Sequence, residues 1–370
     1  MTDWARFVRP ALHDLHPYEP GPSSTELEER HGRTFVHLHR NEDLFPPFPG
    51  LREAVDAELP NVWMYPQDSY EDFRAAVAGR IGSTADRIVP AHGAQALIGV
   101  LAGLFLDPGD AVVVPQPTYG LYAQASAARG AIVHRVPLRE LRVDLDALAA
   151  TAAQVGAKVV WICDPNNPTG SLAARDEWQA FLDALPDSCV VVADEAYVDY
   201  VEPASRLQRE RDVEAGHRVV VIRTLSKLFG LAGLRLGYAI ADPQLARYID
   251  VVQEPFNVNR AAIAAGRVCL AHPELTEQRR LAVAEARDVL CERLRAVGLK
   301  PLPSHANFVL VDTGVDAAAL AAALAEEGLL VRAGGEYGLA GYVRITVGPV
   351  PLMERVAQAI GRARSSKLGR

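Results

Sequence analysis

The chain has 370 residues, of which 49% are hydrophobic and 23% charged, and its formal net charge at pH 7 is −8. This length accommodates two domains, or one large domain with a smaller one attached. The acidic balance argues against a duplex nucleic-acid binder, since phosphate neutralisation needs a basic surface. No apolar run approaches the roughly 20 residues of a membrane span, and no signal peptide is visible at the N-terminus.

The four cysteines, Cys163, Cys189, Cys269 and Cys291, lie far apart in the sequence, and no C-x-x-C pair occurs. Cys163 ends one strand-like run and Cys189 begins another. We therefore expect buried free thiols in a reducing cytoplasm rather than disulfides.

Residues 1–50 are predicted to form an N-terminal arm and part of a small domain. Proline and charged residues surround one short alternating run, TFVHLHR, which predicts an edge strand. His37 and His39 fall on the same face of that strand. A metal site would need further ligands within reach, and the sequence suggests none.

Residues 51–258 alternate between helical segments and short β-branched runs, which predicts a large domain of the parallel α/β class. Strands that are apolar on both faces belong to a sheet that helices cover on both sides. Ligands of such sheets bind at the carboxyl ends of the strands. The runs are AVVVP (111–115), AIVHRV (131–136), KVVWIC (158–163), CVVVAD (189–194) and VVVIRT (219–224).

Residues 259–370 are predicted to form a smaller α+β domain. Helical sequence rich in Ala, Arg and Glu covers about residues 260–298. It is followed by ANFVLVD, another helix and YVRITVG, and we expect the two apolar runs to form short antiparallel strands.

Polar residues gather at three strand ends, where an apolar core would not place them. A single such segment could be a capped helix start, and DPNNPTG alone is equally well explained as a turn. Three of them at the same edge of one sheet converge on a single crevice, which we take as the candidate site. The segments are DPNNPTG after KVVWIC, DEAYVDY after CVVVA, and TLSK after VVVIR.

The motifs of several common sites do not occur in this sequence. No G-x-G-x-x-G follows a strand, and neither a P-loop nor a G-x-S-x-G motif is present. Instead, Lys227 stands among Leu225, Leu228 and Phe229. Burial penalises the ammonium charge and lowers the pKa of the amine, which makes it a nucleophile toward aldehydes. The cofactor that exploits such a lysine is pyridoxal phosphate.

The neighbouring polar residues fit this cofactor. Asp194 is placed to pair with the pyridine nitrogen and keep it protonated. Asn167 and Tyr197 are placed to hydrogen-bond the ring hydroxyl oxygen, and Tyr119 of PTYGLY to stack on the ring.

The cofactor phosphate has two sets of candidate ligands. Two hydroxyls and a guanidinium fork follow the last β-branched run. A tight glycine turn opens an apolar helix whose first backbone N–H groups suit an anion. The candidate phosphate ligands are Gly93, Ala94, Gln95, Thr224, Ser226 and Arg235.

Each of these assignments has a structural alternative. Arg235 would otherwise form a salt bridge, and Tyr119 would otherwise pack in the core. Asp194 would otherwise cap a helix, and Lys227 would otherwise be a surface side chain.

These motifs together resemble fold type I pyridoxal-phosphate enzymes, the class I and II aminotransferases, and within them the histidinol-phosphate aminotransferase branch. They follow the family's order from residue 18 to residue 348. The resemblance implies a large domain on a mostly parallel seven-stranded sheet, a smaller α+β domain and a homodimer. The matching segments are YPQDSY, PTYGLY, WICDPNNPTG, VVADEAYVDY, IRTLSKLFGLAGLRLGY, EPFNVNR, SHANFVL and VRITVG.

The resemblance also implies roles that the residues alone leave open. Arg344 of VRITVG matches the arginine that clamps the substrate α-carboxylate in a bidentate pairing. Tyr65 matches a tyrosine that reaches the cofactor phosphate of the neighbouring subunit. Asn41 matches a position near the substrate, and Tyr18 and Arg332 match positions around the substrate phosphate.

The chain departs from the branch at two places. HRNEDLF stands where Ser-Asn-Glu-Asn-Pro is usual, which places His39 and Arg40 beside the expected substrate entrance. HGAQAL stands where Gly-Ser-Asp-Glu or Gly-Ala-Asp-Glu is usual, so two acids are missing from the phosphate turn. The added basic groups favour an acidic or larger amino donor, as in specialised biosynthesis.

We therefore expect an enzyme, a pyridoxal-phosphate-dependent transaminase with Lys227, Asp194 and Tyr197 as catalytic residues. It would move the amino group of an amino acid or amino-alcohol phosphate to a 2-oxo acid, with Lys227 as general base and acid. The alternative is a β-eliminating lyase or a decarboxylase, because the cofactor stabilises a carbanion whichever bond breaks. A DNA-binding sensor on the same fold is not expected, since the match begins within the first twenty residues.

Overall fold

The structure is a computed structural model that describes residues 2–17, 24–67 and 69–365. The α-helices are α1 Ser24–His31, α2 Leu51–Glu58, α3 Glu71–Ile81, α4 Ala94–Phe105, α5 Leu121–Ala128, α6 Leu145–Val155, α7 Arg175–Ala184, α8 Arg209–Glu214, α9 Pro243–Val252, α10 Arg260–Ala271, α11 Pro273–Ala296, α12 Ala317–Glu326 and α13 Val350–Ala363. The strands are β1 Val36–His37, β2 Ile88–Ala91, β3 Ala111–Gln116, β4 Ile132–Pro137, β5 Val159–Cys163, β6 Val190–Asp194, β7 Val219–Thr224, β8 Gly237–Ile240, β9 Lys300–Pro301, β10 Phe308–Asp312, β11 Leu329–Leu330, β12 Arg332–Ala333 and β13 Tyr342–Thr346. Short 3₁₀ helices cover Trp4–Phe7, Pro10–Leu12, Leu59–Asn61, Ala85–Arg87, Val198–Tyr200, Pro203–Ser205, Ala232–Leu234 and Gly334–Tyr337.

The largest sheet has seven strands in the order β2-β8-β7-β6-β5-β3-β4. Neighbouring strands from β7 to β4 run parallel, and β8 runs antiparallel to both β7 and β2. The five β-branched runs of the sequence form β3 to β7. The expected mostly parallel α/β fold is therefore confirmed.

The middle of this sheet is buried on both faces. All residues of β5 and β7 are buried, as their β-branched composition predicts. Each fully buried Val or Ile side chain contributes about 1.5 to 3 kcal/mol through the hydrophobic effect. The same expectation is wrong for β4, because it forms the edge of the sheet and leaves Ile132 55% exposed.

The register of the central strands aligns their carboxyl ends. Cys163 of β5 pairs with Asp194 of β6, and Asp194 pairs with Ile222 of β7. The segments that follow these three strands therefore start side by side. This alignment brings the predicted polar strand ends to one crevice.

The C-terminal region carries a second sheet with the order β12-β13-β10-β9, in which neighbouring strands are antiparallel. The predicted edge strand near the N-terminus is the two-residue β1, which pairs parallel to β11. This pairing ties residues 36–37 to the C-terminal region and supports our proposal that residues 1–50 and 259–370 contribute to a small domain beside residues 51–258.

The long helical sequence after residue 259 forms α10 and the 24-residue α11. Across the described ranges, no helix combines the length and the apolar character that crossing a membrane requires. All four cysteines are buried and free, as expected.

Candidate active site

A cavity of about 780 Å³ lies at the carboxyl edge of the seven-stranded sheet. Most of the residues that the sequence singled out line it, although they come from distant parts of the chain. These are Asn41, Ala94, Gln95, Tyr119, Asn167, Asp194, Tyr197, Thr224, Ser226, Lys227, Arg235, Arg332 and Arg344. His39 and Arg40 also line it.

Lys227 follows β7 and presents its amine to the cavity. Its Nζ donates to the carbonyl of Arg40 at 3.2 Å and to the carbonyl of Asn41 at 3.0 Å. No carboxylate within the described residues pairs with this amine. Burial, and then the positive charge of Arg344, lower its pKa to about 8, so a substantial fraction is uncharged near neutral pH.

Asp194 ends β6 and is buried beside this lysine. Its Oδ2 accepts a 2.6 Å hydrogen bond from the hydroxyl of Tyr122, and its Oδ1 accepts one from the backbone N–H of Ala196 at 3.0 Å. Burial raises the pKa of Asp194 to about 6, while these two donors oppose the rise. A carboxylate in such a place is ready to accept a proton-bearing nitrogen.

Tyr197, Asn167 and Asn41 form the polar wall between Asp194 and the small sheet. The amide of Asn41 donates to the Tyr197 hydroxyl at 3.0 Å. Burial raises the pKa of Tyr197, which keeps its hydroxyl protonated. Asn41 is held in a left-handed backbone conformation, φ 55°, by a hydrogen bond from its N–H to Thr346.

The opposite end of the cavity is an anion cradle. The buried hydroxyls of Thr224 and Ser226 lie 3.0 Å apart, and Gly93, φ 81°, precedes the first turn of α4 without a side-chain cap. A Cβ at Gly237 would lie 2.6 Å from the backbone nitrogen of Ala94, so only glycine fits there.

Arg235 completes this cradle. Its guanidinium lies against Gly93, 3.1 Å from where a Cβ would stand, and donates to the carbonyl of Ala232 at 2.8 Å. It forms no ion pair with any described residue, which disfavours the salt-bridge alternative. The cluster has the composition of a phosphate site.

Arg344 lies on β13 at the other wall and is buried. Its guanidinium donates to the amide oxygen of Asn167, to the hydroxyl of Tyr337 at 3.1 Å and to the carbonyl of His39 at 2.6 Å. Its Nε has no hydrogen-bond partner, and none of the carboxylates in the described segments pairs with it. A buried cation without a counter-charge is costly unless an anion binds there.

Three predicted site residues need separate comment. Arg332 lines the cavity, but both Nε and Nη2 of its fork donate to the carboxylate of Glu336. Tyr65 does not line the cavity of its own chain; it is 78% exposed and stacks on Phe256 with ring centroids 4.8 Å apart. Tyr18 lies outside the described residues.

Tyr122 is a cavity residue that was not among the predicted site residues. Its ring stacks on Trp161 at 5.5 Å between centroids, and Tyr119 meets it edge-on at 5.6 Å. The segment PTYGLY contains Tyr122, but Tyr119 precedes α5 whereas Tyr122 lies in its first turn, so no helical spacing relates the two tyrosines.

Two of the acids at the strand ends face away from the cavity. Asp164 and Glu195 are buried and both bond the buried guanidinium of Arg209, at 2.6 and 2.9 Å. Glu195 also bonds Arg223. These acids therefore fix the turns after β5 and β6. Removing Arg209 would leave the buried Asp164 without its ion-pair partner, while Glu195 would keep Arg223, and we expect a loss of about 3 to 5 kcal/mol.

The cavity contains no arrangement typical of a metal centre. Within the described parts of the chain, no group of three or more His, Cys, Asp or Glu side chains could hold a metal ion.

The chain is similar in sequence and fold to known aminotransferases. The sequence model of the family described as aminotransferase class I and II matches residues 35–360. A protein of Symbiobacterium thermophilum named histidinol-phosphate aminotransferase is 36% identical over 96% of this chain and 98% of its own length. One of Dechloromonas aromatica, named histidinol-phosphate aminotransferase 1, is 36% identical over 94% of this chain and 96% of its own.

A solved structure has the same fold over nearly the whole chain. The histidinol-phosphate aminotransferase from Sinorhizobium meliloti, in complex with pyridoxal-5'-phosphate, superimposes with a TM-score of 0.89. It is 30% identical, and the match covers 96% of this chain and 97% of that one.

Proposed function

This chain belongs to the class I and II aminotransferases and is a pyridoxal-phosphate-dependent aminotransferase, and on that premise we propose that the cavity around Lys227 is its active site. There it would transfer the amino group of an amino acid or amino-alcohol phosphate to a 2-oxo acid. The observation that carries the proposal is the Lys227 amine, which lies in the cavity, is bound by backbone carbonyls and has a pKa of about 8.

The residues around the cavity fit pyridoxal phosphate at both ends. Lys227 would hold its aldehyde carbon and Asp194 its ring nitrogen. The cradle of unpaired Arg235, two buried hydroxyls and the open start of α4 suits its phosphate. The remaining proposed contacts are Asn167 and Tyr197 with the ring hydroxyl, and Tyr119 with the ring face.

When bound, the cofactor withdraws electron density from the α-carbon of the donor, which makes the α-proton removable. Lys227 Nζ would accept that proton, because its pKa, lowered to about 8, gives a far larger uncharged fraction near neutral pH than an ordinary lysine has. Asp194 would hold the proton on the ring nitrogen, and the Tyr122 hydroxyl would keep this carboxylate oriented. Tyr197, which stays protonated, would donate a hydrogen bond.

Arg344 would bind the anionic group next to the reacting carbon of the donor. Its buried guanidinium without a counter-charge supports this role. Asn41, which bonds Thr346 on the same strand as Arg344, would contact the donor beside it. Arg332 and Tyr18 remain proposed contacts of a substrate phosphate, because the relatives are named for histidinol phosphate.

A half-reaction tests the proposal. The purified enzyme, loaded with pyridoxal phosphate, is mixed with an amino donor alone, and the visible absorbance of the cofactor is recorded. We expect one equivalent of keto product per site, after which the cofactor remains in its amine form until a 2-oxo acid is added. Continuous release of ammonia or carbon dioxide from the donor alone would contradict transamination.

The lyase or decarboxylase alternative is not favoured. The similar proteins named above are aminotransferases over nearly their full length. No contact in the cavity points to the alternative chemistry.

We also propose that the active unit is a homodimer and that Tyr65 completes the phosphate site of the partner. An exposed aromatic and aliphatic surface around Tyr65 supports this proposal, because monomers rarely expose so many large apolar side chains together. The exposed large apolar residues of this sequence neighbourhood are Leu59, Val62, Trp63, Met64 and Tyr65.

Subunit mixing tests the shared site. Tyr65→Ala and Lys227→Ala variants are each expected to have little activity. Their mixture, after dissociation and reassociation, should regain about one quarter of wild-type activity, because half of the dimers are hybrids with one complete site. If the mixture regains no activity although light scattering confirms that it is dimeric, Tyr65 does not contribute to the active site of the partner subunit.

The four free, buried cysteines support a location in the reducing cytoplasm, which we propose on that ground alone.

A further inference from the structure

The segment His39–Asn41 lies between the two groups that handle the donor. The carbonyl of His39 accepts from Arg344 Nη2 at 2.6 Å. The next two carbonyls, of Arg40 and Asn41, accept from Lys227 Nζ. A donor that spans from Lys227 to Arg344 therefore passes directly along this segment, and all three residues line the cavity.

Arg40 is the cation of this segment, and it is not accounted for by the proposed function. Its side chain is partly buried, lines the cavity and forms no ion pair with a described residue. Arg235 and Arg344 have proposed anionic partners. The fork of Arg332 is already engaged by the carboxylate of Glu336, so an incoming anion would have to displace that carboxylate.

His39 provides a neutral neighbour for Arg40. Its pKa is lowered to about 4 by burial and then by the positive charges of Arg40, His37, Arg332 and Arg344. The imidazole is therefore uncharged at neutral pH, and the cations that shift it lie around it. Its Nδ1 is buried and has no hydrogen-bond partner within the described part of the chain.

We propose that Arg40 binds a second anionic group, at the far end of the substrate side chain, with His39 as a hydrogen-bonding neighbour. The substrate class is then a dianion: a dicarboxylic amino acid or an amine that carries a phosphate ester. This inference rests on the proposed function, because Lys227 and Arg344 determine where the reacting carbon and the first anionic group lie.

Arg135 is the main rival for this role. It also lines the cavity and pairs with no carboxylate in the described ranges. However, it lies on the edge strand β4 and is exposed, whereas Arg40 is partly buried. Solvent weakens an ion pair at an exposed arginine, so Arg40 is the stronger anion site.

The test measures binding of non-reacting acids to the cofactor-loaded enzyme by titration calorimetry. Glutarate carries two carboxylates, butyrate carries one on a chain of similar length, and 3-phosphonopropionate pairs a carboxylate with a phosphonate. The variants are Arg40→Gln, Arg40→Lys and Arg135→Gln. Arg211→Gln is the charge-matched control, because Arg211 is exposed on α8 and outside the cavity.

We expect Arg40→Gln to weaken the binding of glutarate or 3-phosphonopropionate by about 10- to 100-fold, which corresponds to the loss of a charge-assisted hydrogen bond. The binding of butyrate should weaken by less than about 2-fold. The dianion that loses more affinity shows whether Arg40 prefers a carboxylate or a phosphonate. Arg40→Lys keeps the positive charge but not the guanidinium fork, so its affinity for the dianions should fall by about 3- to 10-fold.

Three results would overturn the proposal. The first is equal binding of all three acids to the wild type, and the second is an unchanged ratio of dianion to butyrate affinity in Arg40→Gln. The third is a loss of dianion affinity in Arg135→Gln as large as that in Arg40→Gln. If Arg40→Gln does not fold, Arg40→Lys replaces it, and an unchanged ratio of dianion to butyrate affinity in that variant overturns the proposal. The same preparations are assayed for the half-reaction. Intact turnover with an unchanged ratio refutes the role of Arg40 alone, whereas absent turnover in the wild type refutes the proposed function.

Discussion

The two ends of the cavity are built differently. The cofactor end, with Asp194, Thr224 and Lys227, is formed by side chains at or directly after the carboxyl ends of adjacent strands. The donor end is formed by residues 39–41, 332–337 and 344, which meet only through the packing of distant segments. We therefore expect the sheet to determine the chemistry and the donor end to determine the substrate.

Replacing the lysine tests the cofactor end most severely. Lys227→Ala removes both the proposed attachment point and the proposed base, so we expect kcat to fall by at least about 1000-fold. Borohydride reduction followed by mass spectrometry should show the cofactor bound covalently to the wild type and not to the variant. Lys300→Ala, at an exposed position on β9, is the control and should retain both signals. A covalent adduct in Lys227→Ala would assign the attachment to another residue.

Arg344→Lys tests the donor end. Lysine retains the charge but cannot make the three separate contacts of the fork with Asn167, Tyr337 and His39. We expect kcat/KM to fall by about 100-fold while the cofactor affinity stays within about 2-fold. Arg211→Lys serves as the control. An equal loss of cofactor affinity would show that Arg344 supports the cofactor end as well.

The pKa of Lys227 predicts a pH dependence for cofactor uptake. Only the uncharged amine attacks an aldehyde, so the rate at which the apoenzyme binds pyridoxal phosphate should fall about tenfold per pH unit below the pKa of about 8 and level off above it. Stopped-flow absorbance measures this rate. An inflection near the ordinary lysine value of about 10.4 would contradict the burial of the charge.

Tyr122→Phe tests a positioning residue at the cofactor end. The hydroxyl opposes the rise in the pKa of Asp194, so removing it should raise that pKa above about 6 and move the acidic limb of kcat/KM to higher pH. We expect a loss of about 5-fold at neutral pH. Tyr248→Phe, at an exposed position of α9, is the control. A uniform loss at every pH would indicate a purely structural role.

The smallest expected effect concerns Glu336. Glu336→Gln removes the charge that engages Arg332, so 3-phosphonopropionate should bind about 2- to 5-fold tighter while butyrate is unchanged. Glu326→Gln, on α12, is the control. Unchanged phosphonate binding would show that Arg332 does not face the bound anion.

The difference between the two ends also explains what the sequence could predict. Lys227 and Asp194 were predictable because Asp194 ends a β-branched run and Lys227 follows another by three residues, so both lie near strand ends whatever the rest of the chain does. The strands β2 and β8 were not named among the predicted runs, because they have only four residues each and include Pro90 and Gly237.

The donor end was less predictable because its contacts depend on tertiary packing. The bond between Arg344 and Asn167 joins residues 177 positions apart, and no local pattern encodes it. Arg332 lies on the two-residue β12 and Glu336 in the four-residue 3₁₀ helix that follows, outside the α-helices where such spacing is informative. The family resemblance indicated these positions but not their partners.

Lys227 Nζ donates hydrogen bonds to the main-chain carbonyls of Arg40 and Asn41. A main-chain carbonyl is present whatever side chain occupies either position. Exchange of the side chain at 40 therefore leaves the hold on the amine intact. Point mutations at the entrance of the cavity are therefore expected to change the substrate without removing the hydrogen bonds of the reactive amine. Residues 39 and 40 are the natural starting point for directed evolution of substrate specificity.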